Sequence, residues 1–115
     1  MKITDRVIED LQNSLDTFEG VSASFNVYRD DHDYLILKIE PANGQNAEPF
    51  GLRFFYCEFL AGPTQWSNAK FSVSGVKLGC GEDGFEVQDS NAGFVVRCAG
   101  PVSIADDPRQ VFPRT

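Results

Sequence analysis

The sequence predicts an α+β domain in which one N-terminal helix packs on an antiparallel meander sheet of about six strands. Three observations lead there. Apolar residues recur at three-and-four spacing over residues 4–19. From Val21 onward the period changes to two, in short runs separated by turn residues. No second helical stretch follows that could carry crossovers, so the strands are expected to connect as hairpins. The chain of 115 residues suits one domain, expected to span residues 1–115.

Val7, Ile8, Leu11, Leu15 and Phe18 form the apolar stripe of the helix. Thr4 or Asp5 is placed to cap its first amides, and Gly20 to end it in the left-handed conformation. Arg6, Glu9, Asp10, Asn13 and Asp16 make the opposite, solvated face. The first strand alternates Val21, Ala23, Phe25 and Val27 with Ser22, Ser24 and Asn26. A polar turn at Asp30-Asp31-His32-Asp33 leads to a strand over Tyr34–Glu40, with Leu35, Leu37 and Ile39 on one side. Pro41 stops it, and a loop runs to Pro49.

Phe50 to Leu60 reads as the strongest strand in the chain. Gly62-Pro63 marks a turn, and Trp66 to Val73 a further strand that could run on to Leu78 past a bend at Gly75. Phe85–Gln88 and Phe94–Ala99 read as a hairpin around Ser90-Asn91-Ala92-Gly93, and Val102–Ile104 as a short edge strand.

The segment 50–60 is apolar on both sides. Leu52, Phe54 and Tyr56 alternate with Phe55, Cys57 and Phe59. One helix shelters one sheet face, so the other needs a cover. To that second face the alternation assigns Tyr28, Tyr34, Ile36, Arg53, Phe55 and Phe59, with Trp66 joining them. These seven are the candidate interface or ligand residues. Three covers are open: the C-terminal tail with Val102, Ile104, Val111 and Phe112, a second copy of the chain, or a different protein or apolar ligand.

The charge bounds the partners. The net charge is -7, and the ten Lys and Arg are scattered with no two adjacent. Such a surface repels phosphate, which argues against nucleic acid and against anionic membranes. A basic protein partner, or solubility alone, fits better. The start of the chain lacks the apolar core of a signal peptide. Three cysteines without close spacing suit a reducing cytoplasm.

Candidate chemistry is thin. Asp30-Asp31-His32-Asp33 could serve a base or a metal, but Asp is also favoured in turns for its local hydrogen bonds. Cys57, Cys80, Cys98 and His32 match a Cys₃His ligand count without the paired spacing of a zinc site. Cys80 lies in a flexible turn, with His32 as the one available base. Gly79 to Gly84 resembles a phosphate loop in glycine content, but a strand follows it and two carboxylates sit inside it. Lys38, Arg53, Lys70 and Arg97 would converge on an anion only if their strands were neighbours.

No catalytic residue, metal or cofactor is therefore expected. The leading expectation is a non-catalytic interaction domain using an aromatic sheet face and an acidic surface, as a homodimer or with a basic protein. Its general character would suit an antitoxin-like or immunity-like role, by analogy alone. The alternative is a small-molecule binder or small enzyme with its site in a cupped sheet, where Glu58, Arg53, Tyr56 and Tyr34 would supply polar groups.

Overall fold

Two antiparallel sheets share the core. The computed structural model describes residues 4–17, 20–29, 34–41 and 49–105. In chain order these form helix α1 (Asp5–Leu15) and strands β1 (Val21–Arg29), β2 (Tyr34–Glu40), β3 (Phe50–Phe54), β4 (Cys57–Ala61), β5 (Gln65–Ala69), β6 (Ser72–Lys77), β7 (Asp83–Asp89), β8 (Phe94–Cys98) and β9 (Val102–Ala105). One sheet has the order β5-β1-β2-β3-β9 and the other β4-β8-β7-β6. The described residues are thus mainly β, with one helix and nine strands. The strand count exceeds the six expected, and they divide into two layers.

The division explains the doubly apolar segment. Phe50 to Leu60 is two strands, not one. The chain breaks at Phe55-Tyr56, where Tyr56 takes a φ of 56°. β3 then belongs to the first sheet and β4 to the second. Leu52 and Phe54 point into the core from one layer, and Cys57 from the other. A strand read as continuous puts these on opposite faces. The sheet change puts them all inside. Trp66 to Leu78 breaks in the same way at Lys70-Phe71, with β5 in the first sheet and β6 in the second.

Both layers feed one cluster. Val21, Ala23, Leu35, Leu37, Ile39, Leu52 and Phe54 face Phe71, Phe85, Val87, Phe94, Val96 and Cys98. The Phe25 ring of β1 meets Phe94 of β8 edge-on, with centroids 6.2 Å apart. Each fully buried aromatic or aliphatic side chain contributes roughly 1.5–3 kcal/mol by leaving water. The cover expected of the helix is therefore supplied mostly by a second sheet.

Helix α1 instead closes an edge. Thr4 caps it, its hydroxyl accepting from Val7 N–H. Leu15 is buried and Ile8 and Leu11 pack against the core, while Val7 stays exposed. Phe18 lies outside the described residues. The helix stops at Leu15 with Asp16 as its C-cap, so Gly20, with φ 64°, does not end it as expected but directly precedes β1. The Gln12 side chain donates to Phe71 O at 3.1 Å and accepts from Val73 N–H at 2.8 Å. It bonds the start of β6 as a neighbouring strand would. β6 is an end strand of its sheet, so this amide satisfies groups that would otherwise template pairing with another chain.

β1 carries a second departure from simple alternation. Phe25 pairs with Leu37 and Val27 with Ile36, so one extra residue is accommodated between them. That bulge moves Val27 to the outer face, whereas unbroken alternation would have kept it with Phe25.

Candidate functional site

The seven candidate residues fall in four places. Ile36 pairs with Arg53, and Arg53 with Ser103, across the outer face of the five-stranded sheet. Tyr34 lies on the same face, and the Phe55 ring is 6.0 Å from that of Tyr34. Alternation places these four together, as expected. They are not open to a partner, however. Ile36 is 0%, Tyr34 4% and Arg53 7% exposed, and Phe55 is half-buried. Arg53 Nε donates to Ser103 Oγ at 3.0 Å. Of the tail proposed as a cover, Val102 and Ile104 belong to β9, which extends the sheet in its own plane beside β3. Val111 and Phe112 lie outside the described residues.

Trp66 points the other way. Its ring packs 4.9 Å from Phe94 and 6.2 Å from Phe71, within the core. Its indole N–H donates to Asp89 Oδ2 at 2.9 Å, and the same oxygen accepts from Lys70 N–H at 3.0 Å. Asp89 is buried, and this carboxylate ties the corner between β5 and β6 to β7. Tyr28 is displaced by the β1 bulge into the row of Leu35, and is half exposed.

Phe59 alone of the seven stands on the four-stranded sheet. It pairs with Arg97, and Arg97 with Glu86, across the outer face of that sheet. The Arg97 guanidinium lies 5.2 Å from the centroid of the Phe59 ring. Its Nε donates to Glu86 Oε2 at 2.7 Å. The carboxylate holds the cation over the ring, so the ring face and the guanidinium plane are presented together. Phe59 is 46% exposed and Tyr56, three residues earlier, 56%. β4, which carries Phe59, is an end strand. Glu58 accepts from Gly79 N–H at 2.8 Å and pins the β6–β7 turn beside it.

The alternation expects Phe59 beside Phe55 on one face of a single sheet, whereas β4 carries it on the second sheet. Its partner Arg97 is one of the four cations that would converge only if their strands were neighbours. The four do not converge, because Lys38 lies near Glu40 on the other sheet at 3.8 Å and Arg97 pairs with Glu86. Glu86 meets Arg97 across the β7–β8 hairpin, and what depends on strand order is that Arg97 also meets Phe59.

The other candidates resolve simply. Asp30 to Asp33, including the one histidine, lie outside the described residues. Among the described residues no group of three or more His, Cys, Asp or Glu could hold a metal. Gly79 to Glu82 form the tight β6–β7 turn, closed by Leu78 N–H to Glu82 O at 2.8 Å, and Asp83 and Gly84 already belong to β7. At Gly84 a Cβ would stand 2.5 Å from Leu78 Cδ2 and 2.8 Å from Cys98 O, so close packing demands glycine there. Cys57 and Cys98 are buried and Cys80 is exposed, all as thiols. Burial, then the nearby Cys57, push the Cys98 thiol up to about 12. A polar cleft of about 340 Å³ runs over Ser22, Ser24, Glu40, Gln65 and Ser67, beside Ala23 and Trp66. No described helix is long and apolar enough to cross a membrane.

The fold and site define a mainly β, two-sheet protein with an aromatic–guanidinium pair across an end strand and its neighbour. Comparison with protein families, curated proteins and solved structures finds no match.

Proposed function

We propose that the chain is a non-catalytic interaction protein whose contact surface is the segment Tyr56–Phe59 with Arg97. The observation that supports it is the exposure of Phe59 and Tyr56 on and beside an end strand, with Arg97 stacked on the Phe59 ring. Aromatic and Arg side chains with their rotamers already held are the usual anchors of protein interfaces. Glu86 holds Arg97, so little side-chain freedom is lost when a partner arrives. The net charge of -7 favours a basic partner over a second copy, since two copies would repel.

Substituting Phe59→Ser and Arg97→Gln tests this. Partner capture by cross-linking in the native host should be lost in both variants and kept in Ser74→Ala, while thermal midpoints stay within a few degrees. Capture that is indifferent to both substitutions refutes the assignment. A concentration-dependent dimer abolished by Phe59→Ser would replace the basic partner with a second copy.

A further inference from the structure

We propose that Cys57 and Cys98 are a built disulfide site, two thiols set opposite each other where the chain changes sheets, with Cys80 left outside the pair. Cys57 of β4 is the direct antiparallel partner of Cys98 of β8. Directly opposed residues have Cα atoms about 4.5–5.5 Å apart. Disulfides span about 4.4–6.8 Å between Cα atoms, so the backbone needs no large movement. Both side chains turn to the same side, into the core cluster, as cross-strand partners must. The thiols also sense each other, since Cys57 contributes to the raised proton affinity of Cys98.

The surroundings hold this pair in place. Ala99 N–H donates to Tyr56 O at 3.0 Å and Gly100 N–H to Phe55 O at 3.0 Å, immediately beyond the pair. Gly100, with φ 91°, packs against the Phe85 ring, where a Cβ would stand 2.8 Å from its edge. A bond here would close a loop of about 40 residues and tie both sheet corners together.

The chemistry balances with a small disulfide such as oxidised glutathione. The Cys57 thiolate attacks one glutathione sulfur and expels a glutathione thiolate. The Cys98 thiolate then attacks the Cys57 sulfur of the mixed disulfide and expels the second. Two protein thiols are oxidised, one glutathione disulfide is reduced, and the two protons end on two glutathione thiols. Cys98 is buried and protonated once folded, so closure belongs to folding, when both thiols meet solvent.

The full chain, unfolded and refolded in mixed oxidised and reduced glutathione, decides the matter. Free thiols are then alkylated and the chain is cut with trypsin. The three cysteines fall on separate peptides, 54–70, 78–97 and 98–109. The expected product is 54–70 linked to 98–109, with Cys80 alkylated and the thermal midpoint raised by roughly 10 °C over the reduced chain. Cys80→Ser should keep the link and Cys98→Ser lose it. Three alkylated cysteines, a link through Cys80, or an oxidised chain that melts below the reduced one would each overturn the site. The wild-type peptide map decides even if a variant fails to fold.

Discussion

Replacing Asp89 by Ala should cost about 3 kcal/mol. Asp89 is 2% exposed, and one of its oxygens takes the Trp66 indole N–H at 2.9 Å and the Lys70 backbone N–H at 3.0 Å. Hydrogen bonds to a charged group contribute about 1.5–3 kcal/mol each, which gives an upper limit near 6. Trp66 is half-buried, so water can reach part of what is vacated, and the lower half of that range applies. Against a total stability of about 5–15 kcal/mol the loss is large. Asp89→Asn keeps an acceptor and gives up the charge, so about 1–2 kcal/mol is expected. Trp66 is the sole tryptophan and sits on the broken bond, so its fluorescence reports directly. In urea, with a slope of about 1.5 kcal/mol/M, the Ala midpoint should fall by about 2 M and the Asn midpoint by about 1 M. An Ala midpoint within about 0.3 M of wild type would refute the bracket. Equal losses in Ala and Asn would show that charge, rather than acceptance of two N–H groups, is what matters.

Gln12→Ala should destabilise the protein by about 1–2 kcal/mol and speed hydrogen exchange at the Val73 amide, which donates to the Gln12 side chain; unchanged exchange there would contradict the edge-closing role. Gly84→Ala should cost at least about 2 kcal/mol by driving Leu78 from its place, read as a drop in thermal midpoint, and a neutral outcome would mean that Leu78 moves freely. Alkali should weaken the fold through Cys98. Unfolded, this thiol ionises near its ordinary 9.0, while in the folded chain it keeps its proton to about 12. Its contribution is therefore complete below pH 9.0 and is lost as pH rises toward about 12. Denaturant midpoints of the reduced wild type should fall more steeply from about pH 8.5 to 10.5 than those of Cys98→Ala, and parallel curves would refute this.

Most of the elements were legible from the chain alone, because each has a local cause. Tyr34–Glu40 is bounded as its alternation predicts, the hairpin of β7 and β8 turns at residues 90–93, and Thr4 caps the helix, which stops at Leu15, short of Gly20. The two sheet changes that fall inside runs read as single strands were not legible. A strand that changes sheet without glycine or proline leaves no composition mark, and at Phe55-Tyr56 a tyrosine takes the left-handed conformation. The doubly apolar pattern of 50–60 is the visible trace of that change, and on alternation alone it reads as an uncovered face. The Phe59–Arg97 contact depends on which strands are neighbours, as does the meeting of Asp89 with Trp66. Residues 23 to 38 apart in the chain cannot announce such contacts by spacing.

The paired segments 50–61 and 94–105 run side by side through both layers, turning together at Tyr56 and Gly100. They act as a common hem. Neither layer can be peeled away while the other keeps its outline, since tearing the seam unpicks both. Severing the chain between residues 61 and 94 should therefore yield no half that holds its shape alone, and heat should collapse the whole in a single step.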